Sequence, residues 1–205
     1  MSEQLSHFSI LETIHNRRSI RRYKPDPIPR PLIETLLEAA IWAPSAHNRQ
    51  PWRFVVIENV DQKDALARAM GDKLRLDLEA DNAPEELIFQ DVKRSYERIT
   101  SAPVLILICL SMIDMDVYPD DIRAYNEYLM AAQSTAMAGQ NLLLAAQEAD
   151  LGSCWMCAPL FCPDIVRDAL NLPDDWRPQG LITLGYPSQT REKTRRPLDT
   201  VTIWR

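Results

Sequence analysis

Residues 104–110, with the sequence Val-Leu-Ile-Leu-Ile-Cys-Leu, form the longest unbroken run of hydrophobic residues in this chain. A membrane-spanning helix needs about 20 apolar residues, whereas a buried strand needs only about four to eight. The run is therefore too short for a membrane span and predicts a strand in the core of the fold. We expect no membrane partner for this protein.

Helical and strand patterns alternate on both sides of this strand. Apolar residues at helical spacing predict helices over 7–16, 32–42, 61–78, 121–149 and 163–170, and a further helix that ends near residue 99. Short apolar runs predict strands over 53–58 and 179–186, a short strand or turn over 151–156, and an edge strand over 201–204.

Two segments of this pattern have features of their own. The predicted 121–149 helix is apolar on more than one side and rich in small residues, including Ala138 and Gly139, so we expect it to be central and closely approached by another helix. Residues 71–95 fit no pattern well, and we expect a lid or substrate loop there.

The bulk composition indicates an ordinary globular protein. Its 205 residues suit a single domain, over 1–205, that can bury about 70% of its unfolded surface without disulfides or a structural metal. The net charge of -6 argues against a nucleic-acid partner, because the summed field repels polyanions. The four cysteines are too few for a disulfide framework, and residues 1–4 show no secretion signal, so we expect reduced thiols and a cytoplasmic protein.

A local excess of positive charge contrasts with this acidic background. Residues 17–23 read Arg-Arg-Ser-Ile-Arg-Arg-Tyr, and residues 17–30 contain six basic residues and one acid, Asp26. Guanidinium groups bind phosphate through paired, charge-assisted hydrogen bonds, so this segment indicates a phosphate site. The alternative is a solvated basic face paired with acidic helices.

A second segment, residues 43–52, reads Ala-Pro-Ser-Ala-His-Asn-Arg-Gln-Pro-Trp. The hydroxyl of Ser45 and the amides of Asn48 and Gln50 can hydrogen-bond a planar polar ring, and Pro44 and Pro51 stiffen the loop that carries them. Alone, such a loop can simply terminate a helix. Combined with the basic segment, it predicts a site for flavin mononucleotide (FMN).

Several other kinds of site are disfavoured. The chain has five glycines but no G-x-G-x-x-G or Walker-type loop, which argues against a Rossmann dinucleotide site or a P-loop. Its three histidines lack metal-ligand spacing, so we predict no metal. Cys154 and Cys157 have C-x-x-C spacing, but they follow a long helix and have no second ligand pair, so we interpret them as packing residues.

In sequence order, four motifs resemble those of the FMN-dependent nitroreductase superfamily. They are the basic segment 17–23, the loop 43–52, Gly-Ser-Cys-Trp at 152–155, and Leu-Gly-Tyr-Pro at 184–187 followed by the basic pair Arg195-Arg196. The resemblance covers roughly residues 10–203. Within the superfamily, residues 152–163 and 172–176 are similar to the C-terminal reductase domain of deazaflavin (coenzyme F-420) biosynthesis proteins.

The resemblance implies a fold and an assembly. The fold is α+β, with three α-β-α layers around a mixed or antiparallel sheet, in an intertwined homodimer that exchanges its C-terminal tails and holds two FMN molecules at the interface. In that assembly Pro44, Ser45 and Asn48 come from the partner chain and Gln50 faces the flavin ring. The implied contacts to phosphate and ribityl are Arg17, Arg18, Ser19 and Arg21, with Arg195 and Arg196 from the tail, and those to the flavin face are Met156 and Cys157.

The same resemblance implies an activity. Hydride passes from NADH or NADPH through the flavin N5 to a small-molecule conjugated acceptor, such as a nitroaromatic or a quinone, and no protein side chain is catalytic in its own right. Two alternatives stay open. The chain reduces a dehydro-precursor of a deazaflavin coenzyme, or it binds flavin or a deazaflavin without catalysis.

Overall fold

The computed structural model describes residues 9–205. Its helices are α1 (Ile10–Asn16), α2 (Arg30–Ile41), α3 (Val60–Ala80), α4 (Glu85–Thr100), α5 (Asp121–Glu148) and α6 (Pro163–Ala169). Its strands are β1 (Trp52–Ile57), β2 (Val104–Leu110), β3 (Gly152–Met156) and β4 (Arg177–Gly185). The first two residues of the helix predicted over 7–16 lie outside the described residues, and α1 begins after Ser9, whose hydroxyl accepts from the Glu12 N–H.

The four strands form one antiparallel sheet in the order β1-β2-β4-β3. The predicted core strand, β2, has the bounds expected from the sequence and lies in the interior of the sheet. The register places Trp52 of β1, Leu110 of β2 and Arg177 of β4 at one end of the sheet. Val104, Leu184 and Ser153 lie at the opposite end.

Helices cover both faces of the sheet, which explains why β2 is apolar at every position. Alternate side chains of a strand point to opposite faces. Val104, Ile106 and Ile108 pack with α2 and α5, whereas Leu105, Leu107 and Cys109 pack with α3, α4 and α6. The three-layer α-β-α arrangement and the α+β class are therefore confirmed.

Two expectations need correction. Residues 201–204 form no strand in this chain, and Ile203 and Trp204 are exposed. Residues 71–95 are no loop, because they comprise the second half of α3, a short turn and most of α4, and the two helices pack against each other. Within the chain α5 packs against α2, and its Gly139 lies against the Trp155 indole of β3. In the described residues no helix has the length and apolar character needed to cross a membrane.

Candidate functional site

The basic segment begins where α1 ends and runs along the outer edge of β3. Arg17 terminates α1, with its N–H donating to the Thr13 carbonyl at 3.0 Å. Ser19 then forms a parallel bridge with Ser153, and the Ile20 N–H donates to the Ser153 carbonyl at 3.0 Å. Backbone pairing with an edge strand therefore fixes the position from which the neighbouring arginines project.

This close approach depends on the glycine at the start of β3. A Cβ at Gly152 would lie 2.8 Å from Ile20 Cγ2, so a larger residue would push the basic segment away. At the other end of the segment, the hydroxyl of the partly buried Tyr23 lies 2.5 Å from the Ile20 carbonyl oxygen and 2.7 Å from Thr183 Oγ1. Burial raises the pKa of Tyr23, so its hydroxyl keeps its proton.

Basic side chains from two distant parts of the chain line one cavity of about 280 Å³, which we call the first arginine cavity. No acidic residue lines it. Within residues 9–205, none of its cationic side chains forms an ion pair. Its lining residues are Arg17, Arg18, Ser19, Arg21, Arg191, Lys193 and Arg195.

The electrostatics of this cavity favour an anion. The pKa of Arg17 is lowered by burial and then by the like charges of Arg195 and Arg18. Arg18 donates from Nη1 to the Arg17 carbonyl at 2.9 Å, but its buried Nε has no hydrogen-bond partner. Unpaired buried donors and clustered positive charges are costly, and a phosphate would relieve both. The residues present therefore fit a phosphate group.

Five of the six residues predicted to contact the phosphate and ribityl line this cavity, together with two basic residues that were not predicted to do so. Arg17, Arg18, Ser19, Arg21 and Arg195 all line it, although 178 positions separate Arg17 from Arg195. Arg196 does not line it. Sequence reasoning did not assign Arg191 and Lys193 to the site; the available signal was their place in the same basic run as Arg195.

The predicted ring-binding loop is held in a strained conformation. Its backbone at Ala46 donates to Ser134 Oγ of α5 at 3.2 Å, and the Gln50 N–H donates to Ser45 Oγ at 3.1 Å. His47, Asn48 and Gln50 have φ values of 50°, 53° and 51°. Non-glycine residues rarely adopt this left-handed region, and surrounding contacts must maintain it. The loop is thus shaped by its contacts, while the side chains of Asn48 and Gln50 are exposed.

Within one chain the loop and the first arginine cavity lie at diagonally opposite corners of the sheet. The loop leads into Trp52 on the β1 edge, whereas Ser19 pairs with Ser153 on the β3 edge. Three strand spacings across the sheet amount to about 14 Å, and the seven positions from Arg177 to Leu184 along β4 span about 23 Å. A single chain therefore does not bring these two predicted halves of the site together.

Met156, in contrast, lies on the same strand as the Ser19 contact, and Cys157 directly follows that strand. They follow Ser153 by three and four residues, or about 10–13 Å along the strand. Cys157 is exposed and accepts a hydrogen bond from Trp155 Nε1 at 3.2 Å. Cys154 is buried, and this burial raises the pKa of its thiol. One member of the C-x-x-C pair is therefore packed and only the other is accessible.

All four cysteines are free thiols, and Cys157 alone among them is exposed. In the described part of the chain, no group of three or more His, Cys, Asp or Glu side chains is arranged to hold a metal ion.

Comparison with known proteins places this geometry in a wider context. Residues 14–186 match the protein family described as the nitroreductase family. The chain is 30% identical over 214 residues to an NADH dehydrogenase of Thermus thermophilus, and the alignment covers 92% of each protein. A nitroreductase-type protein of Desulfovibrio desulfuricans, solved in complex with FMN, is 28% identical with a TM-score of 0.75 over 98% of both chains. The NADPH:FMN oxidoreductase of Vibrio harveyi, solved with NAD+, shares the fold at 22% identity, with a TM-score of 0.72 over 95% of this chain and 76% of that one.

Proposed function

Because this chain belongs to the nitroreductase family and is an FMN-dependent NAD(P)H oxidoreductase, we propose that its first arginine cavity holds the phosphate of FMN. The observation that carries this assignment is a cavity lined by unpaired cations from two distant parts of the chain, among them Arg18, whose buried Nε has no hydrogen-bond partner within residues 9–205. Hydrogen bonds between charged groups each contribute about 1.5–3 kcal/mol, so two or three guanidinium contacts suffice to anchor the cofactor.

The chain's own residues bind and orient in this proposal. The phosphate and ribityl of FMN are held by Arg17, Arg18, Ser19 and Arg21. The C-terminal tail adds two further contacts to the phosphate, from Arg195 and Arg196. The flavin face is lined by Met156 and Cys157. When bound, FMN supplies the hydride chemistry that links NAD(P)H to the acceptor. We assign no side chain as general acid, and we propose a conjugated small molecule, such as a nitroaromatic or a quinone, as the acceptor.

The loop 43–52 and the first arginine cavity lie at diagonally opposite corners of the sheet, and this separation supports a homodimeric site. In this proposal a second copy of the chain supplies Pro44, Ser45 and Asn48, and Gln50 faces the ring. Trp42, which immediately precedes this loop, is 79% exposed and lines an apolar groove between α1, α2 and α5. A partner that covers Trp42 would also meet the loop that follows it.

The C-terminal tail, residues 191–205, provides the second support for the homodimer. Its four large apolar side chains are exposed, and Trp204 is exposed by 86%. Large exposed apolar surfaces are a liability for a monomer and indicate an interaction surface. We propose that each tail packs on the partner chain. The four side chains are Leu198, Val201, Ile203 and Trp204.

The visible absorbance spectrum of the freshly purified protein, recorded before and after anaerobic addition of NADPH, tests the function. We expect oxidised-flavin bands that bleach with NADPH and return when a nitroaromatic or a quinone is added. A colourless protein that cannot be reconstituted with FMN would contradict the proposal. Bleaching that no conjugated acceptor reverses would contradict the acceptor class alone.

Two narrower interpretations remain predictions with their own tests. The similarity of residues 152–163 and 172–176 to deazaflavin biosynthesis proteins predicts reduction of a dehydro-precursor of that coenzyme, and failure of the reduced protein to turn over that compound would exclude it. A non-catalytic flavin carrier would be excluded by rapid reduction with NAD(P)H followed by reoxidation with a small acceptor. The cytoplasmic location and the single domain over 1–205 also stay predictions.

A further inference from the structure

A second cavity with a basic lining adjoins the first. It has a volume of about 400 Å³ and lies between the basic segment, the last two turns of α4 and the start of the tail. It shares Arg21 and Arg191 with the first arginine cavity. We call it the second arginine cavity; its lining residues are Arg21, Arg22, Arg94, Glu97, Arg98, Ser101 and Arg191.

The carboxylates near this cavity leave most of its positive charge uncompensated. Arg94 forms an ion pair with Asp91. Glu97 Oε1 lies 3.9 Å from the Nζ of Lys93, a residue that lines a different cavity. Across residues 9–205, Arg22 and Arg98 form no ion pair. The lining thus contains five arginines and one acid, Glu97, and four of these arginines form no ion pair with any residue that the structure describes.

These cations lie close enough to repel one another. The pKa of Arg98 is lowered by partial burial and then by the positive charges of Arg21, Arg94 and Arg191. A basic residue in the last turn of a helix normally gains from the helix dipole, and this accounts for Arg98 taken alone. It does not account for the convergence of arginines from three separate segments on the same cavity.

The backbone positions of two of these arginines, Arg98 and Arg22, are set by secondary and tertiary structure. Arg98 belongs to α4, which packs along the length of α3. Arg22 lies in the segment that follows the Ser19 bridge, and its carbonyl accepts from the Ser188 N–H at 3.1 Å. An anion bound here would meet donors whose backbone positions are already set, which lowers the entropic cost of binding.

A single phosphate cannot compensate both cavities. Nine different cationic side chains line the two cavities together, and only Arg94 among them is paired. A phosphate monoester carries about two negative charges at neutral pH. After the FMN phosphate is bound, most of the cations of the second arginine cavity remain unneutralised.

We propose that the second arginine cavity binds a further phosphate monoester dianion, carried by a ligand other than FMN. This inference rests on the proposed function, because it assigns the first cavity to the FMN phosphate. Two sources have this chemistry: the 2′-phosphate of NADPH, and a free phosphate or nucleotide. The first source would make the cavity a determinant of the choice between NADPH and NADH.

Calorimetry on the FMN-loaded protein tests the proposal with adenosine 2′-monophosphate, adenosine and inorganic phosphate as separate probes. The variants are Arg98→Gln and Arg22→Gln, and the control is Arg30→Gln, which removes an equal charge at an exposed residue paired with Glu34 outside both cavities. We expect the parent and the control to bind the phosphate-bearing probes and not adenosine. Each cavity variant should lose about 10-fold or more in that affinity.

Steady-state kinetics distinguish the two sources. If NADPH supplies the phosphate, the cavity variants raise the KM for NADPH by about 10-fold and leave the KM for NADH unchanged. If the ligand is instead free phosphate or a nucleotide, the affinity for inorganic phosphate falls in the cavity variants, while the KM for NADPH and the KM for NADH stay unchanged. Either pattern supports the second arginine cavity as a phosphate site.

Three results would overturn the proposal. One is a parent that binds neither phosphate-bearing probe, and another is a pair of cavity variants that bind them as tightly as Arg30→Gln does. The third is loss of FMN from Arg98→Gln and Arg22→Gln, which would assign the second cavity to the FMN phosphate. Failure of the proposed function is seen separately, as a parent protein that does not retain FMN.

Discussion

Gly180 of β4 faces the indole of Trp155 so closely that a Cβ at position 180 would lie 2.3 Å from the indole Cζ2. Gly139 of α5 leaves the same distance to Cζ3. Two glycines from different elements therefore form the slot that receives the indole. Trp155 also donates from Nε1 to Cys157 Sγ, so the slot helps to position the chain at the end of β3.

Substitution Gly180→Ala should destabilise the protein, because the added methyl group has no space beside the indole and the neighbouring strands are packed. We expect a loss of about 1–3 kcal/mol in the free energy of unfolding, measured by urea denaturation. The matched control is Gly71→Ala in α3, where the nearest atom to a new Cβ is Val92 Cγ1 at 3.5 Å. That change should leave stability equal or raise it by up to about 1 kcal/mol. Equal midpoints for Gly180→Ala and the parent would contradict the slot.

Substitution Arg17→Ala should weaken FMN binding. Arg17 is half-buried in the first arginine cavity beside Arg195 and Arg18, so its loss removes a positioned guanidinium and leaves a gap. We expect the Kd for FMN to rise by about 10- to 150-fold, measured by fluorescence titration of the apoprotein. Arg30→Ala, at an exposed site, is the control. An FMN content equal to that of the parent would remove Arg17 from the phosphate site.

The affinity for FMN should fall as the pH decreases through about 6. The second pKa of a phosphate monoester is near 6, so the ligand loses one of its two charges below that value, while guanidinium groups stay protonated throughout. Burial and the like charges of Arg195 and Arg18 lower the pKa of Arg17, but a guanidinium group is not deprotonated in proteins. We expect the Kd to rise several-fold between pH 7.5 and pH 5. Riboflavin lacks the phosphate, so its weaker binding should not change with pH. If the Kd values of FMN and riboflavin changed in parallel with pH, the assignment of the first arginine cavity to the FMN phosphate would be contradicted.

Polar substitution at the end of the tail should weaken the proposed homodimer. The double variant Ile203→Ser/Trp204→Ser removes two apolar side chains that are exposed by 81% and 86% in the single chain. A large aromatic group in an interface typically contributes about 2 kcal/mol or more, so the dimer Kd should rise by about 30-fold or more in sedimentation velocity. Val60→Ser, at a site exposed by 72% on α3, should change nothing. A monomeric parent, or a double variant that sediments like the parent, would contradict tail exchange.

Local sequence patterns predicted much of the fold. β2 has the expected bounds, and β1, β3 and β4 lie within two residues of theirs, because short apolar runs rich in β-branched residues favour strands over helices. The same patterns failed at residues 201–204, which look like a strand but have no neighbouring strand to pair with in this chain. The expectation of a lid or substrate loop at residues 71–95 was also wrong, because the helices predicted over 61–78 and up to about residue 99 are present there as α3 and α4 and pack against each other.

The sequence by itself determined which side chains are available for chemistry: a basic segment, a proline-bounded polar loop and a short run of polarizable residues that ends at Cys157. It could do so because these features are contiguous in the chain. Only the tertiary structure decided which of them meet. Strand order and register place Ser19 against Ser153 and bring Arg191, Lys193 and Arg195 to Arg17, while the same register leaves the loop at the opposite corner of the sheet. Contacts between distant segments depend on how the layers pack around β2, and no local pattern encodes them.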